Sequence, residues 1–101
     1  MTEIMAVEND ERVASVKFTD DTLCVGLMDG REIVVPLASY PRLLHATLEQ
    51  RVKWKIAGGG YGIHWPDIDE DLSAEGLLEG RPSRESERSF QRWLGTQPTR
   101  S

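Results

Sequence analysis

The chain has a single cysteine, Cys24, so no internal disulfide can form. It also lacks a long apolar run: none approaches the ~18 residues that a membrane-spanning helix needs. The N-terminal stretch MTEIMAVENDER is acidic, without the basic start and apolar block of a secretory signal. Basic charge is short too, with 12 Lys and Arg against 17 Asp and Glu for a net charge of −5. That balance argues against a generic nucleic-acid binder, which presents a basic surface. Together these absences point to a reducing, cytoplasmic setting.

What is present suffices for one small domain. A chain of 101 residues, 39% hydrophobic and 29% charged, can bury one core and little else. The charge is unevenly placed. Residues 1–50 carry all of the net negative charge, and residues 51–101 balance to zero. Within that second half, Arg81, Arg84, Arg88, Arg92 and Arg100 outnumber Glu85 and Glu87, which makes the tail basic.

Hydrophobic periodicity divides the chain into a lead-in over 1–12, a domain over 13–80 and an arginine-bearing tail over 81–101. From Val13 the pattern alternates, and it predicts a strand with Ala14, Val16 and Phe18 on one side and Ser15 and Lys17 on the other. After Asp20 and Asp21, Leu23, Val25 and Leu27 alternate with Thr22, Cys24 and Gly26, which turns Cys24 away from the core. Asp29 and Gly30 tolerate positive φ and signal a hairpin, whose return strand stops at Pro36. Residues 13–36 therefore read as a three-stranded antiparallel meander.

Two short helical turns follow. Ser39 or Tyr40 caps the first, with Pro41 near its start and Leu43 and Leu44 facing inward. Thr47 and Gln50 form a capping box for the second, in which Leu48 and Val52 share one face. Both turns are expected to cover one side of the sheet.

Residues 53–57 alternate Trp54 and Ile56 against Lys53 and Lys55, a fourth strand. Gly58, Gly59 and Gly60 turn the chain into a short fifth strand over 62–65, which ends at Pro66. Residues 67–71, DIDED, read as an acidic connection. Ser73 then caps a helix, with Leu72 and Leu77 in the positions of a hydrophobic staple and Gly80 at its stop. In the tail, Phe90, Trp93 and Leu94 share one face of an amphipathic helix over about 84–94, with acids first and arginines later, as the helix dipole favours.

The candidate chemistries are soon weighed. A phosphate loop needs a lysine and a Ser/Thr opening a helix, but GGGYG leads into a strand, so a tight turn is the better reading. His64, Asp67, Asp69, Glu70 and Asp71 cluster in sequence without the twelve-residue calcium pattern and its central glycine. One cysteine cannot supply a structural zinc site. No metal or other cofactor is therefore expected. His64 has the chemistry of a general base, with Asp67 or Asp69 to orient it, yet no nucleophile motif accompanies it, and no catalytic residue is assigned.

A binding surface suits the residues better. Tyr61, His64, Trp65, Asp67, Asp69 and Glu70 bring aromatic and negative groups together, as a basic or peptide partner requires. Phe90, Trp93 and Leu94 form a second patch, whose large side chains serve equally to cover the protein's own core. An alternative places nucleic acid on Arg81, Arg84, Arg88 and Arg92 of the tail. A third makes His64 and the acidic loop a small ligand-binding or catalytic site.

The segments VKFTDDTL, DGREIVVPL, YPRLL, GGGYGIHWPDIDEDLSAEGLL and GRPS together resemble the bacterial domain-of-unknown-function family 2442. The resemblance spans residues 13–83, and the succession Gly-Ile-His-Trp-Pro, Asp-Glu-Asp, Leu-Leu is its most specific part. It implies a small α+β fold, matching the pattern above: a three-stranded meander plus a second hairpin, short helices on one side and a C-terminal amphipathic helix. It also implies a partner protein and no reaction, because such proteins are often encoded beside a small protein of domain family 4160, in pairs suggestive of toxin and antitoxin. The expected function is a non-enzymatic interaction module, antitoxin-like, with a nearby-encoded small protein or a second copy of the chain as its partner.

Overall fold

The computed structural model of the protein describes residues 9–83 and 85–97. Arg84 and Arg100 of the basic tail, and most of the lead-in, lie outside the described residues. Two three-stranded antiparallel sheets, short helices and a longer C-terminal helix form an α+β fold. The first sheet is the expected meander, β1 (Val13–Phe18), β2 (Thr22–Leu27) and β3 (Glu32–Pro36). Leu23, Val25 and Leu27 all face the core, as the alternation predicts.

The phase of β1 departs from the expectation. Val13 pairs with Leu27 and Ser15 with Gly26, so Ala14 is an extra residue in the ladder. This bulge shifts the side-chain alternation by one. Val13 and Val16 are therefore both buried, while Ala14 is exposed. The β2–β3 hairpin also differs in detail. Gly30 adopts φ +94 while Asp29 stays at negative φ, and Leu27 N–H donates to Arg31 O at 2.8 Å. One left-handed residue closing a three-residue loop suffices.

Beyond Pro36, a 3₁₀ turn over Leu37–Ser39 leads into α1 (Pro41–Leu44), where Pro41 takes the first helical position. Tyr40 is its N-cap residue without any side-chain cap bond. Helix α2 (Leu48–Val52) carries the predicted capping box, with Gln50 N–H to Thr47 Oγ1 at 3.0 Å and Thr47 N–H to Gln50 Oε1 at 2.9 Å. The inward face expected of these turns is only partly realised. Leu43 is buried, but Leu44, Leu48 and Val52 are exposed. The short α2 is held instead from Arg51, whose guanidinium donates to the carbonyls of Leu43 and Leu44.

The second sheet is larger than a hairpin. It consists of β4 (Lys55–Ala57), β5 (Gly62–Trp65) and β6 (Glu70–Ser73), in that order. Strand β4 starts two residues later than expected and is an edge, which leaves Ile56 exposed. Strand β6 takes the place of much of the acidic connection. Its high charge masks it as a loop, yet Leu72 pairs with Ile63 and faces inward with it. Helix α3 (Ala74–Leu78) follows directly, capped by Ser73 Oγ on Gly76 N–H. It ends with Gly80 at φ +70, where Arg81 N–H reaches Gly76 O and Gly80 N–H reaches Leu77 O.

One core joins both sheets. Trp65 is fully buried, meets Phe18 edge-to-face at 6.3 Å between centroids, and donates its indole N–H to Arg51 O at 3.0 Å. The tail folds onto the same core. Helix α4 (Glu87–Thr96) is capped by Ser86 on Ser89 N–H, starts three residues later than expected, and buries Phe90 and Trp93. No helix among the described residues is long and apolar enough to cross a membrane.

Candidate functional site

Antiparallel pairing places residues opposite one another on the same face of a sheet. In the second sheet, Ile63 and Trp65 of β5 face the core, so their partners Leu72 and Glu70 also face inward. The other side is open to solvent and carries Lys55, His64 and Asp71 as one cross-strand row. A neighbouring row consists of Ala57, Gly62 and Ser73, all small. Small side chains leave a shallow depression of about 380 Å³ on this face, bordered by Tyr61 and Asp71.

The left-handed turn Gly58–Gly60 delivers Tyr61 to the rim of this depression. All three glycines have positive φ, between +59 and +104, a run that residues with a Cβ rarely adopt. Tyr61 itself is 53% exposed.

His64 Nδ1 lies 2.7 Å from Asp71 Oδ1. An ionised carboxylate only accepts, so Nδ1 carries the hydrogen in this contact. This pair has the base and orienting members of a hydrolytic triad. The third member is missing: among the described residues no hydroxyl or thiol hydrogen-bonds the imidazole. Cys24 sits in the first sheet, half-buried, with Thr22 Oγ1 at 3.7 Å. Among the described residues no three His, Cys, Asp or Glu side chains are grouped so as to hold a metal ion.

The acidic residues divide by geometry. Asp67 lies 3.6 Å from Lys53 Nζ, and Asp69 projects into solvent from a left-handed backbone position at φ +52. Arg42 holds this turn, donating through Nη1 to Ile68 O at 3.0 Å and Asp69 O at 3.1 Å. The same guanidinium engages Glu85 through Nε at 2.9 Å and sits over the Trp93 ring at 5.4 Å. Arg42 thereby ties α1, the β5–β6 turn and the start of the tail together. Glu85 is held below its usual carboxylate range by hydrogen bonds from Arg42.

Glu70 behaves in the opposite way. It points inward beside Trp65, and its Oε2 is buried without a hydrogen-bond partner. Burial raises its pKa to about 6, against the opposing hydrogen bond from Asp71 N–H to Oε1 and the attraction of Arg42.

The expected surface residues thus fall into two sets. Tyr61, His64, Asp67 and Asp69 reach solvent around the second sheet. Trp65, Phe90 and Trp93 do not, and this corrects their expected place on a surface. Strand alternation sends Trp65 inward, and the tail helix turns its aromatic face onto the core beside α1, with the Phe90 ring 5.2 Å from that of His45. Leu94 is half-buried against the same core, and Glu70 is largely withdrawn. Of the tail arginines, Arg88 and Arg92 are exposed on α4, and Arg81 lies beside Glu79 at 3.0 Å. Asp71, the actual partner of His64, was not expected; its cross-strand position depends on β6.

Residues 13–83 match the family described as "Protein of unknown function (DUF2442)". No curated protein matches the chain. The chain is similar to a protein of unknown function from Rhodospirillum rubrum, known from a crystal structure. The two are 30% identical with a TM-score of 0.63, over 73% of this chain and 92% of that one. It is also similar to an uncharacterized protein from Chromobacterium violaceum, known from a solution NMR structure. That pair is 28% identical with a TM-score of 0.61, over 80% of this chain and 74% of that one.

Proposed function

From the premise that this chain belongs to the DUF2442 family, we propose that it is a non-enzymatic protein-interaction module. Its binding face is the open side of the second sheet, and its partner is a small basic protein, in the manner of an antitoxin. The observation that carries this reading is the uncovered face itself. The sheet packs one side on the core and leaves the other with Tyr61, the His64–Asp71 pair and a shallow depression. An exposed aromatic beside polar groups is the composition of an interface anchor and its rim. The net charge of −5 favours encounter with a basic partner.

The test is affinity capture of the tagged full chain from its own host, beside a Tyr61→Ala/Asp71→Ala variant. One stoichiometric small partner, lost in the variant, is the expected result. Recovery of the bait alone would refute the reading. A second reading, nucleic-acid binding through the tail, draws on Arg88 and Arg92 lying exposed one turn apart on α4. It requires a salt-sensitive DNA shift that Arg88→Ala/Arg92→Ala abolishes.

A further inference from the structure

Strand β6 ends the second sheet, with no strand on its far side among the described residues. The backbone shows which groups face that side. Ala74 N–H donates across to Tyr61 O, so by alternation the amides of Asp71 and Ser73 point away from β5. The Asp71 amide is met there by Glu70 Oε1 at 3.1 Å, a side chain standing where a neighbouring strand would offer a carbonyl.

The edge borders a cleft of about 280 Å³ between β6 and residues 81–83, with Tyr40 and Leu77 also in its lining. The far wall is fixed: Tyr40 Oη donates to Arg81 O at 2.9 Å, and Ser83 N–H donates to Ser39 O at 2.9 Å. A cleft with a strand edge along one wall has the geometry for strand addition, in which main-chain bonds give affinity and side chains give selectivity.

Charge selects the occupant. Glu70 Oε1 stands on the edge itself, the exposed Asp71 carboxylate lies beside it on the open face, and the Arg81 guanidinium across the cleft is engaged by Glu79. Pairing with β6 of a second copy would set these carboxylates against their own kind, which destabilises a ladder. We infer that the β6 edge takes an extended, lysine- or arginine-bearing segment of another protein, which displaces the Glu70 side chain from the Asp71 amide. This inference deepens the proposed interaction role and rests on it.

The experiment is an NMR titration of the isotope-labelled full chain with blocked hexapeptides at millimolar concentration. One probe alternates lysine and valine, and its control has glutamate for lysine. Two further probes carry N-methyl groups on alternate backbone amides, one in each phase. The lysine probe is expected to shift the amides of residues 70–73, Arg81 and Ser83, with Ser73 N–H gaining protection from exchange. The glutamate control and at least one N-methylated probe should bind 10-fold or more weakly. In the protein, Asp71→Pro, which removes the outward N–H, should weaken binding far more than Asp71→Ala, which keeps it. Equal binding by all lysine probes would overturn the inference whether or not the proline variant folds. Shifts around Lys55, Tyr61 and His64 in place of the cleft would overturn it and leave the open face standing as the binding surface. Absence of shifts with every probe would also overturn it, while the capture experiment decides the broader role independently.

Discussion

Glu70 makes the stability of this fold depend on pH in an unusual direction. Its carboxyl is raised from an ordinary value of 4.5 to about 6, so the folded protein holds that proton more tightly than the unfolded chain does. The resulting stabilisation is fully present below about pH 4.5 and is lost as the pH rises through about 6. A shift of this size corresponds to about 2 kcal/mol at most, and partial solvent access reduces it to about 1–2 kcal/mol. Glu70→Gln keeps an oxygen for the Asp71 amide and never ionises. It places an NH₂ where Oε2 has no partner, which adds an offset that does not vary with pH. Urea unfolding of both proteins from about pH 4.5 to 7.5 isolates the effect, because the other titrating groups largely cancel in the difference. Starting at pH 4.5 avoids most of the opposite trend from Glu85, whose lowered pKa costs stability in stronger acid. The wild type should lose about 1–2 kcal/mol relative to the variant across the window. A difference that stays flat with pH would refute the reasoning.

Two further predictions concern the frame. Arg42→Ala leaves Glu85 without its cation and removes the donors to Ile68 O and Asp69 O, so a loss of about 3–5 kcal/mol is expected. Hydrogen exchange should show α4 and the β5–β6 turn losing protection together. Gly60→Ala sets a methyl group 3.0 Å from Arg12 Cγ at φ +104, whereas Gly58→Ala at φ +59 meets nothing within 4 Å. Chemical denaturation should show the Gly60 variant as the weaker, by about 1–3 kcal/mol below wild type.

The legible parts of the fold were those fixed by local chemistry. Alternation marked the meander, Thr47 and Gln50 announced their capping box, and Ser73 announced its cap. The less legible parts depended on contacts distant in sequence. Strand β6 is four residues long, with Leu72 its only aliphatic residue, and its pairing with β5 defines it rather than its own pattern. Leu48 and Val52 keep helical spacing but face outward, because spacing says which residues share a face and not where the face points. The same limit governed the site. His64 could be singled out by type, but its carboxylate partner follows from the register His64 to Asp71. Arg42 gave no local signal at all, because its ligands lie 26, 27 and 43 residues away.

The bulge at Ala14 makes this position tolerant in two ways. Its side chain is exposed, so most substitutions there should cost little. The residue is also the extra unit of the ladder, standing between Val13 opposite Leu27 and Ser15 opposite Gly26. Deleting it would leave Val13, Val16 and Phe18 opposite Leu27, Val25 and Leu23 in plain alternation, with the core face kept and only the bulge's local twist lost. A deletion between Ser15 and Phe18 has no such outlet and would turn one end of the strand inside out, so changes of length in this strand should gather at position 14.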